Sequence, residues 1–151
     1  MTSPQFDVVI IGGGLAGLTS AIHLSQNNFS VLLIEKNSFP KHKVCGEYIS
    51  NEVLPYLEQL GFNPFEFGAK RITDFELTTH NNKTIKAALP LGGFGMSRYE
   101  MDFQLYQLAV RNGVSVVEDS VVDVVFKNDI FHVQTKSSQS FTSKITIGAF
   151  G

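Results

Sequence analysis

The stretch Asp7–Glu35, which reads DVVIIGGGLAGLTSAIHLSQNNFSVLLIE, decides the fold. An apolar run, Val8–Ile11, leads directly into the glycine-rich segment Gly12–Gly17, and a helical pattern then connects it to a second apolar run, Val31–Glu35. Glycines at this spacing, between a strand and a helix and followed by an acid at the end of the next strand, are typical of a dinucleotide-binding βαβ unit. The segment therefore predicts a site for an adenine dinucleotide.

Each residue of the glycine-rich segment that we assign to this site has its own physical reason. Gly12 allows a tight turn, Gly14 lets the backbone approach a pyrophosphate, and Gly17 permits close packing of the helix on the sheet. Leu15 and Ala16 lie in the first helical turn, where free N–H groups and the positive end of the helix dipole attract phosphate. All five are predicted to contact the cofactor.

Glu35 closes the second strand and is the predicted ribose ligand. A carboxylate there accepts hydrogen bonds from both ribose hydroxyls and repels a 2′-phosphate, so NADP is not expected at this position. Lys36, which follows it directly, is included among the predicted cofactor contacts. The competing interpretation of this acid is an exposed residue in an ordinary turn.

Composition limits the class of protein. At 151 residues the chain is long enough for one domain, and its formal net charge of -2, without blocks of like charge, argues for neither a nucleic-acid nor a membrane-surface partner. Cys45 is the only cysteine, which favours a reducing compartment. Since Val8–Ile11 is too short for a signal peptide or a membrane span, we expect a cytoplasmic protein.

Hydrophobic spacing and turn residues predict the remaining elements of an α/β fold. The first half of the chain continues with a loop from Lys36 to Tyr48, a short helix capped by Ser50 and reaching Leu60, a β-hairpin of Phe75–Thr79 and Ile85–Leu89, and a flexible connector containing Gly92, Gly93 and Gly95. A second helix is opened by Ser97 with Glu100 and ended by Gly113. The remaining elements are strands at Val114–Val117, Val121–Phe126 and Ile130–Thr135 with a tight Asn128-Asp129 turn, a serine-rich loop or edge at Ser137–Ser143, and a short strand at Ile145–Ile147.

In the order of its motifs the chain resembles flavoproteins of the geranylgeranyl reductase group, within the para-hydroxybenzoate hydroxylase class of FAD oxidoreductases and monooxygenases. The resemblance rests on the amino-terminal glycines, Glu35, the run Lys43-Val44-Cys45-Gly46 and the closing Gly148-Ala149-Phe150-Gly151. It spans all 151 residues, but only the amino-terminal portion of such an enzyme.

This resemblance implies a Rossmann-like FAD-binding fold with a parallel sheet, interrupted by a β-hairpin and a β-meander and incomplete relative to the full family fold. Residues 1–151 would form the FAD-binding domain, with the hairpin of residues 70–95 on the substrate side. The strand Ile145–Ile147 should lie parallel beside Phe6–Ile11. The remainder of the enzyme would pack against this portion.

Further site residues follow only from the resemblance. Arg98 matches an arginine near the FAD phosphates and ribityl chain, and Val121 matches a position whose backbone meets the adenine. Cys45 matches a position beside the flavin, although a free cysteine is more often a small buried hydrophobe. Lys41 and Lys43 are candidates for phosphate contacts, with a solvated basic loop as the alternative.

The expected activity is that of an FAD-dependent oxidoreductase acting on a small molecule, by resemblance a prenyl-type reductase or an aromatic monooxygenase, with NAD(P)H as a candidate reductant. Phe150 is a departure, since the class carries Gly-Ala-Asp-Gly where this chain has Gly-Ala-Phe-Gly. No catalytic residue is assigned, and no metal-ligand spacing is present. An NAD-dependent dehydrogenase domain and a noncatalytic nucleotide-binding remnant remain alternatives.

Overall fold

The computed structural model describes residues 4–45 and 47–151, so Gly46, part of the Cys-Gly pair quoted above, lies outside the described residues. The chain divides into two compact units. One consists of the residues up to Lys41 together with Asp102–Gly151, and the other of His42–Met101. The assignment of residues 1–151 as one domain, with residues 70–95 on the substrate side, stays a prediction.

The helices and strands of the described residues form a mixed α/β fold. They are β1 (Gln5–Ile11), α1 (Leu15–Gln26), β2 (Val31–Glu35), β3 (Tyr48–Ser50), a 3₁₀ turn (Asn51–Val53), α2 (Leu54–Gln59), a second 3₁₀ turn (Pro64–Phe67), β4 (Lys70–Thr78), β5 (Thr84–Gly95), α3 (Arg98–Arg111), β6 (Ser115–Glu118), β7 (Val121–Lys127), β8 (Ile130–Thr135) and β9 (Ser140–Gly148).

The first unit contains a six-stranded sheet in the order β6-β2-β1-β9-β8-β7. Its central strand β1 is parallel to both neighbours, with Val8 opposite Val31 on one side and Ile145 on the other. Strands covered on both faces carry continuous apolar runs, and Val9 and Ile10 are accordingly inaccessible to solvent. The Rossmann-like parallel sheet is confirmed, as is the parallel pairing of the last strand with β1.

Helix α1 buries one narrow face composed of Gly17, Leu18, Ala21 and Ile22. These positions recur at the three- and four-residue spacing of one helical face. The helix stops where Asn28 adopts a left-handed backbone with φ of 65°, which asparagine tolerates better than most residues. The predicted helix is confirmed.

Strands β7, β8 and β9 form the predicted β-meander. Asn128 and Asp129 have φ of 55° and 60°, the pair of left-handed conformations that a two-residue type I′ hairpin turn requires. Apolar residues from β8 and β9 share a core cluster with residues of β1 and β2. Its buried members are Val9, Leu32, Ile34, Val133 and Phe141.

Strand β9 is longer than the sequence predicted. The expectation of a loop or edge at Ser137–Ser143 is wrong for its second half, because β9 begins at Ser140 and Ser143 is completely buried. The Ser143 hydroxyl lies 3.0 Å from the Thr146 hydroxyl, so a hydrogen bond compensates its burial. Hydrophobic spacing could not reveal a buried strand that carries satisfied hydroxyl groups.

The second unit contains the antiparallel sheet β3-β5-β4. Phe75 faces Ala87 and Leu77 faces Ile85, as the predicted hairpin requires. The prediction of a flexible connector is wrong, because Gly92, Gly93 and Gly95 lie within β5.

Gly93 explains why glycine occurs in that strand. It pairs with Ser50 of β3 on one side and Ile72 of β4 on the other, and a Cβ there would overlap the Tyr48 ring. Close approach, not flexibility, accounts for this glycine.

The two predicted serine caps differ. Ser50 precedes the first 3₁₀ turn but makes no side-chain cap hydrogen bond there; its hydroxyl donates to Glu52 instead. Ser97 precedes α3, and its hydroxyl accepts the Glu100 N–H at 3.2 Å, as predicted. Within residues 4–45 and 47–151, none of the helices combines the length and apolar character needed to cross a bilayer.

Candidate functional site

The turn after β1 is built by backbone approach. The Gly12 N–H donates to the Ile34 carbonyl at 2.8 Å, and the Ala149 N–H donates to the Ile11 carbonyl at 2.7 Å. Gly12 has φ of 109°, and a Cβ there would overlap the Ala149 carbonyl. The chain therefore crosses this edge of the parallel sheet at a distance that only glycine permits.

Gly17 fulfils the packing role predicted for it. A Cβ at Gly17 would overlap the carbonyl oxygen of Gly12, and the helix could not then lie this close to the turn. Glycine is thus required at position 17 by the backbone of Gly12, which occupies the space in which a side chain would lie.

The amino terminus of α1 has the features of an anion site. Gly14 is its cap residue, in an extended conformation and without a side-chain cap hydrogen bond, and the first turn holds no acidic residue. Leu15 is half-buried and Ala16 is exposed. The first N–H groups of a helix lack intrahelical acceptors, so this turn presents donors and a positive dipole end to a phosphate.

Glu35 lies at the carboxyl end of β2 and is 6% exposed. Its Oε2 accepts the Gly13 N–H at 2.7 Å, while Oε1 accepts the Asn37 N–H at 3.0 Å and the Asn37 side-chain amide at 3.2 Å. The same Oε1 lies 2.5 Å from Lys41 Nζ. The predicted ribose ligand is thus bound directly to the glycine-rich segment.

These contacts decide the charge of Glu35. Burial by itself would raise its pKa, but the hydrogen bonds from Lys41, Gly13 and Asn37 outweigh that effect and hold the pKa below its usual value. Glu35 is therefore an anion at neutral pH.

An aromatic pair flanks the same carboxylate. Phe39 stacks on Tyr106 with ring centroids 4.6 Å apart and planes 10° apart, and Lys41 Nζ lies 4.9 Å from the Phe39 ring centroid. A Cβ on Gly13 would come within 2.8 Å of the Phe39 ring. The segment after β2 therefore folds back over the glycine turn.

Val121 and Lys36 are two further predicted cofactor contacts. The Asp119 N–H donates to the Glu35 carbonyl at 3.0 Å, which ties the turn before β7 to the end of β2. Val121 opens β7, is half-buried and packs against the core cluster. Lys36 is exposed immediately after β2. The structure thus brings the glycine-rich segment, Glu35 and the start of β7 together.

Three predicted residues lie in the second unit. Lys43 and Cys45 are exposed in the segment between β2 and β3, and the Cys45 sulfur accepts the Glu47 N–H at 3.4 Å. Arg98 is the first residue of α3 and is half-buried. Their predicted contacts with the flavin half of a cofactor stay predictions.

Sequence reasoning missed the roles of Gly13, Asn37 and Phe39. Asn37 carried the clearest signal, because an asparagine two residues after a strand-ending acid can place both its N–H groups on that carboxylate. The contacts of Gly13 and Phe39 arise from the path of the loop, which no local pattern encodes.

A family model described as "DAO: FAD dependent oxidoreductase" matches residues 7–47, the segment that contains the glycine turn, Glu35 and Lys41. Over this segment the chain is similar to FAD-dependent oxidoreductases. The digeranylgeranylglycerophospholipid reductase 2 of Methanothermobacter thermautotrophicus is 30% identical over 127 residues, which are 82% of this chain and 32% of that protein. The predicted similarity to flavoproteins is confirmed, and the proteins that carry it are enzymes.

Two solved structures extend the likeness of fold to nearly the whole chain. A flavin-dependent brominase superposes with a TM-score of 0.82 at 24% identity, covering 97% of this chain and 38% of that one. A geranylgeranyl bacteriochlorophyll reductase-like protein from Thermoplasma acidophilum gives 0.80 at 23% identity, covering 99% and 40%. The chain therefore spans between 32% and 40% of the length of these three proteins.

Proposed function

We propose that this chain is the FAD-binding portion of a flavin-dependent oxidoreductase. The observation that carries the proposal is the buried Glu35 carboxylate, hydrogen-bonded to Gly13 at the start of a helix that lacks a side-chain cap. A ribose acceptor and a phosphate site thus lie side by side, as the adenosine diphosphate half of a dinucleotide requires.

The residues present fit that half of FAD. Gly12 and Gly17 form a cradle that side chains would fill, and Gly14, Leu15 and Ala16 carry the N–H groups that would bind the pyrophosphate. Glu35 would bind the ribose. The backbone of Val121 would meet the adenine, and the exposed Lys36 would lie beside the ribose.

The flavin half is assigned by resemblance. Lys43, Cys45 and Arg98 would contact it, and the hairpin of residues 70–95 would belong to the substrate side. Bound FAD supplies hydride transfer through the flavin N5. The chain's own residues bind and orient the cofactor, the remainder of the enzyme packs against this portion, and the substrate is a small molecule.

The reductant and the reaction class are part of the proposal. NAD(P)H is a candidate electron donor, although Phe150 stands where the class has a carboxylate. The substrate is an isoprenoid double bond to be reduced or an aromatic ring to be hydroxylated. The reductase from M. thermautotrophicus, which is 30% identical over 127 residues, supports the first of these.

The test is calorimetric titration of the 151-residue chain with FAD, ADP and FMN, with the absorption spectrum of the flavin complex as a second readout. FAD and ADP should bind in competition. FMN, which lacks the adenosine diphosphate half, should bind far more weakly. Binding of FMN in preference to ADP, or no binding of ADP, would remove the site from this edge of the sheet.

A further inference from the structure

The hydrogen bonds of Glu35 limit what it can offer a ribose. A carboxylate has about two acceptor positions on each of its two oxygens. Oε1 already receives Lys41 and both N–H groups of Asn37, while Oε2 receives the Gly13 N–H. Counting only partners within the described residues, Oε2 has capacity for one more hydrogen bond. Glu35 held in this way can accept one ribose hydroxyl, not both.

Lys41 is positioned to serve the second hydroxyl. Its ammonium carries three protons, and its ion-pair partner within the described residues is Glu35. Its side chain is only 19% exposed and lies over the Phe39 ring, which is itself fixed by stacking on Tyr106. The ammonium is thus held beside the carboxylate, with protons to donate to neighbouring oxygens.

The pair also changes the local charge. A lone carboxylate at this position would repel a 2′-phosphate, but the Lys41 cation in contact with Glu35 adds an attraction that offsets this repulsion. A phosphate oxygen could accept a charge-assisted hydrogen bond from Lys41.

We propose that Lys41 is a second ribose-binding residue, and that the Lys41–Glu35 pair, not Glu35 alone, sets the choice between a 2′-hydroxyl and a 2′-phosphate. The inference rests on the proposed function, because it assumes that the ribose lies at Glu35. It predicts that the chain discriminates only weakly against nucleotides with a 2′-phosphate.

The experiment measures dissociation constants for ADP and for 2′-phospho-ADP by calorimetry at low ionic strength. Lys41→Met should raise the ratio of the two constants, 2′-phospho-ADP over ADP, by about tenfold, the effect of one charge-assisted hydrogen bond. Lys127→Met is the matched control, since it removes one exposed lysine at the end of β7 and should leave the ratio unchanged.

Two further variants separate charge from folding. Lys41→Arg keeps the positive charge and should preserve the wild-type ratio. Lys41→Gln removes the charge but keeps a polar side chain, and it should raise the ratio as Lys41→Met does. It therefore supplies the measurement if the apolar substitution unfolds the chain. An unchanged ratio in a folded Lys41→Gln or Lys41→Met protein that still binds ADP overturns the inference and leaves the proposed function standing. Failure of the wild-type chain to bind either nucleotide overturns both.

Discussion

At the scale of single residues, Glu35 combines two tasks. It holds the glycine turn through the Gly13 N–H and faces the position proposed for the ribose. Because its carboxylate is buried and charged, removing it takes away a ligand group and also leaves Lys41 and the Gly13 N–H without their acceptor. Loss of binding and loss of stability are therefore coupled here, and an experiment has to measure both.

Glu35→Ala should weaken ADP and FAD binding by about 1.5 to 3 kcal/mol, the range for hydrogen bonds to a charged group. Calorimetry measures the affinity, and thermal unfolding of the same variant shows whether it is folded. Glu35→Gln is the control of similar shape, which keeps one carbonyl acceptor and should lose less. Unchanged FAD affinity in a folded Glu35→Ala protein would exclude Glu35 from the site.

Gly17→Ala should destabilise the chain by about 2 to 4 kcal/mol, because the new Cβ would overlap the Gly12 carbonyl and force helix and turn apart. Gly113→Ala is the contrasting variant. No atom lies within 4 Å of its added Cβ, so its cost comes only from the φ of 86°, which is unfavourable for alanine, whereas Gly17 is helical and has no such cost. Denaturant unfolding measures both, and a Gly17→Ala protein as stable as the wild type would contradict the close packing of helix and turn.

Asp119 predicts a dependence of stability on pH. Hydrogen bonds, first from the Ser137 hydroxyl and then from Thr135, lower its pKa from 3.8 to about 2. A carboxyl whose pKa falls on folding stabilises the native state above its unfolded pKa, and that contribution is lost as the pH drops from 3.8 towards about 2.

Asp119→Asn should therefore unfold at a lower temperature than the wild type near neutral pH, and the gap should narrow as the pH falls through this window. Asp123→Asn, an exposed change of the same charge in β7, is the control. If the difference in unfolding temperature between Asp119→Asn and the wild type stays constant with pH, ionisation of the Asp119 carboxyl does not contribute to that difference.

At the scale of elements, the β7–β8 turn is held by two non-glycine residues in left-handed conformations. A type I′ turn is most favourable with Asn-Gly at its centre, and this chain has Asn128-Asp129. Asp129→Gly should raise the free energy of unfolding by about 0.5 to 1 kcal/mol. Asp123→Gly, within β7, is the contrasting variant and should lower it. The denaturant midpoints of the two variants are compared with that of the wild type. A lower midpoint for Asp129→Gly would contradict the assignment of a type I′ turn with Asp129 in a left-handed conformation.

The elements also show which parts of the fold sequence reasoning can reach. Helix α1, the buried strands β1 and β2 and the Asn128-Asp129 turn were predictable, because periodicity and turn residues act within a few positions. The amino-terminal half of β9 was missed because its residues other than Phe141 are polar, and the buried Ser143 is satisfied by the Thr146 hydroxyl. Gly93 was misassigned to a connector because the reason for a glycine there, the close approach of the Tyr48 ring, lies on another strand.

The candidate site divides in the same way. The glycine spacing and Glu35 predict the proposed phosphate and ribose positions from sequence alone, since both follow from one βαβ unit. Lys41 was predicted only as a phosphate contact, and its pairing with Glu35 depends on the path of residues 36–41. A loop without periodicity carries no pattern from which such a pair can be inferred.

At the scale of the whole molecule, the residues of the proposed site account for one half of a dinucleotide. The resemblance places the segment that grips the flavin half later in such enzymes, and this chain spans only 32% to 40% of the three relatives compared above. Binding energy from both halves is needed to hold the flavin where hydride arrives. The isolated chain is therefore expected to bind a nucleotide without catalysing turnover.

This expectation is measurable. FAD should bind the 151-residue chain no more than about tenfold more tightly than ADP. Anaerobic mixing of the FAD complex with NADH or NADPH should leave the flavin absorption unchanged, with free FAD as the reference. Tight FAD binding accompanied by rapid bleaching of the flavin would show that the active site is complete within these residues.

The pairing of β1 with β9 has a consequence for how the chain acquires its shape. Gln5 pairs with Thr142 and Ile11 with Gly148, so the central strand of the sheet obtains one of its two partners from the last strand. Such a ladder has a high contact order, and folding rates fall as contact order rises. During synthesis, the apolar strand β1 leaves the ribosome long before β9 exists, and one of its edges stays open throughout. A chaperone that shields Val8–Ile11 in that interval should increase the yield of native protein.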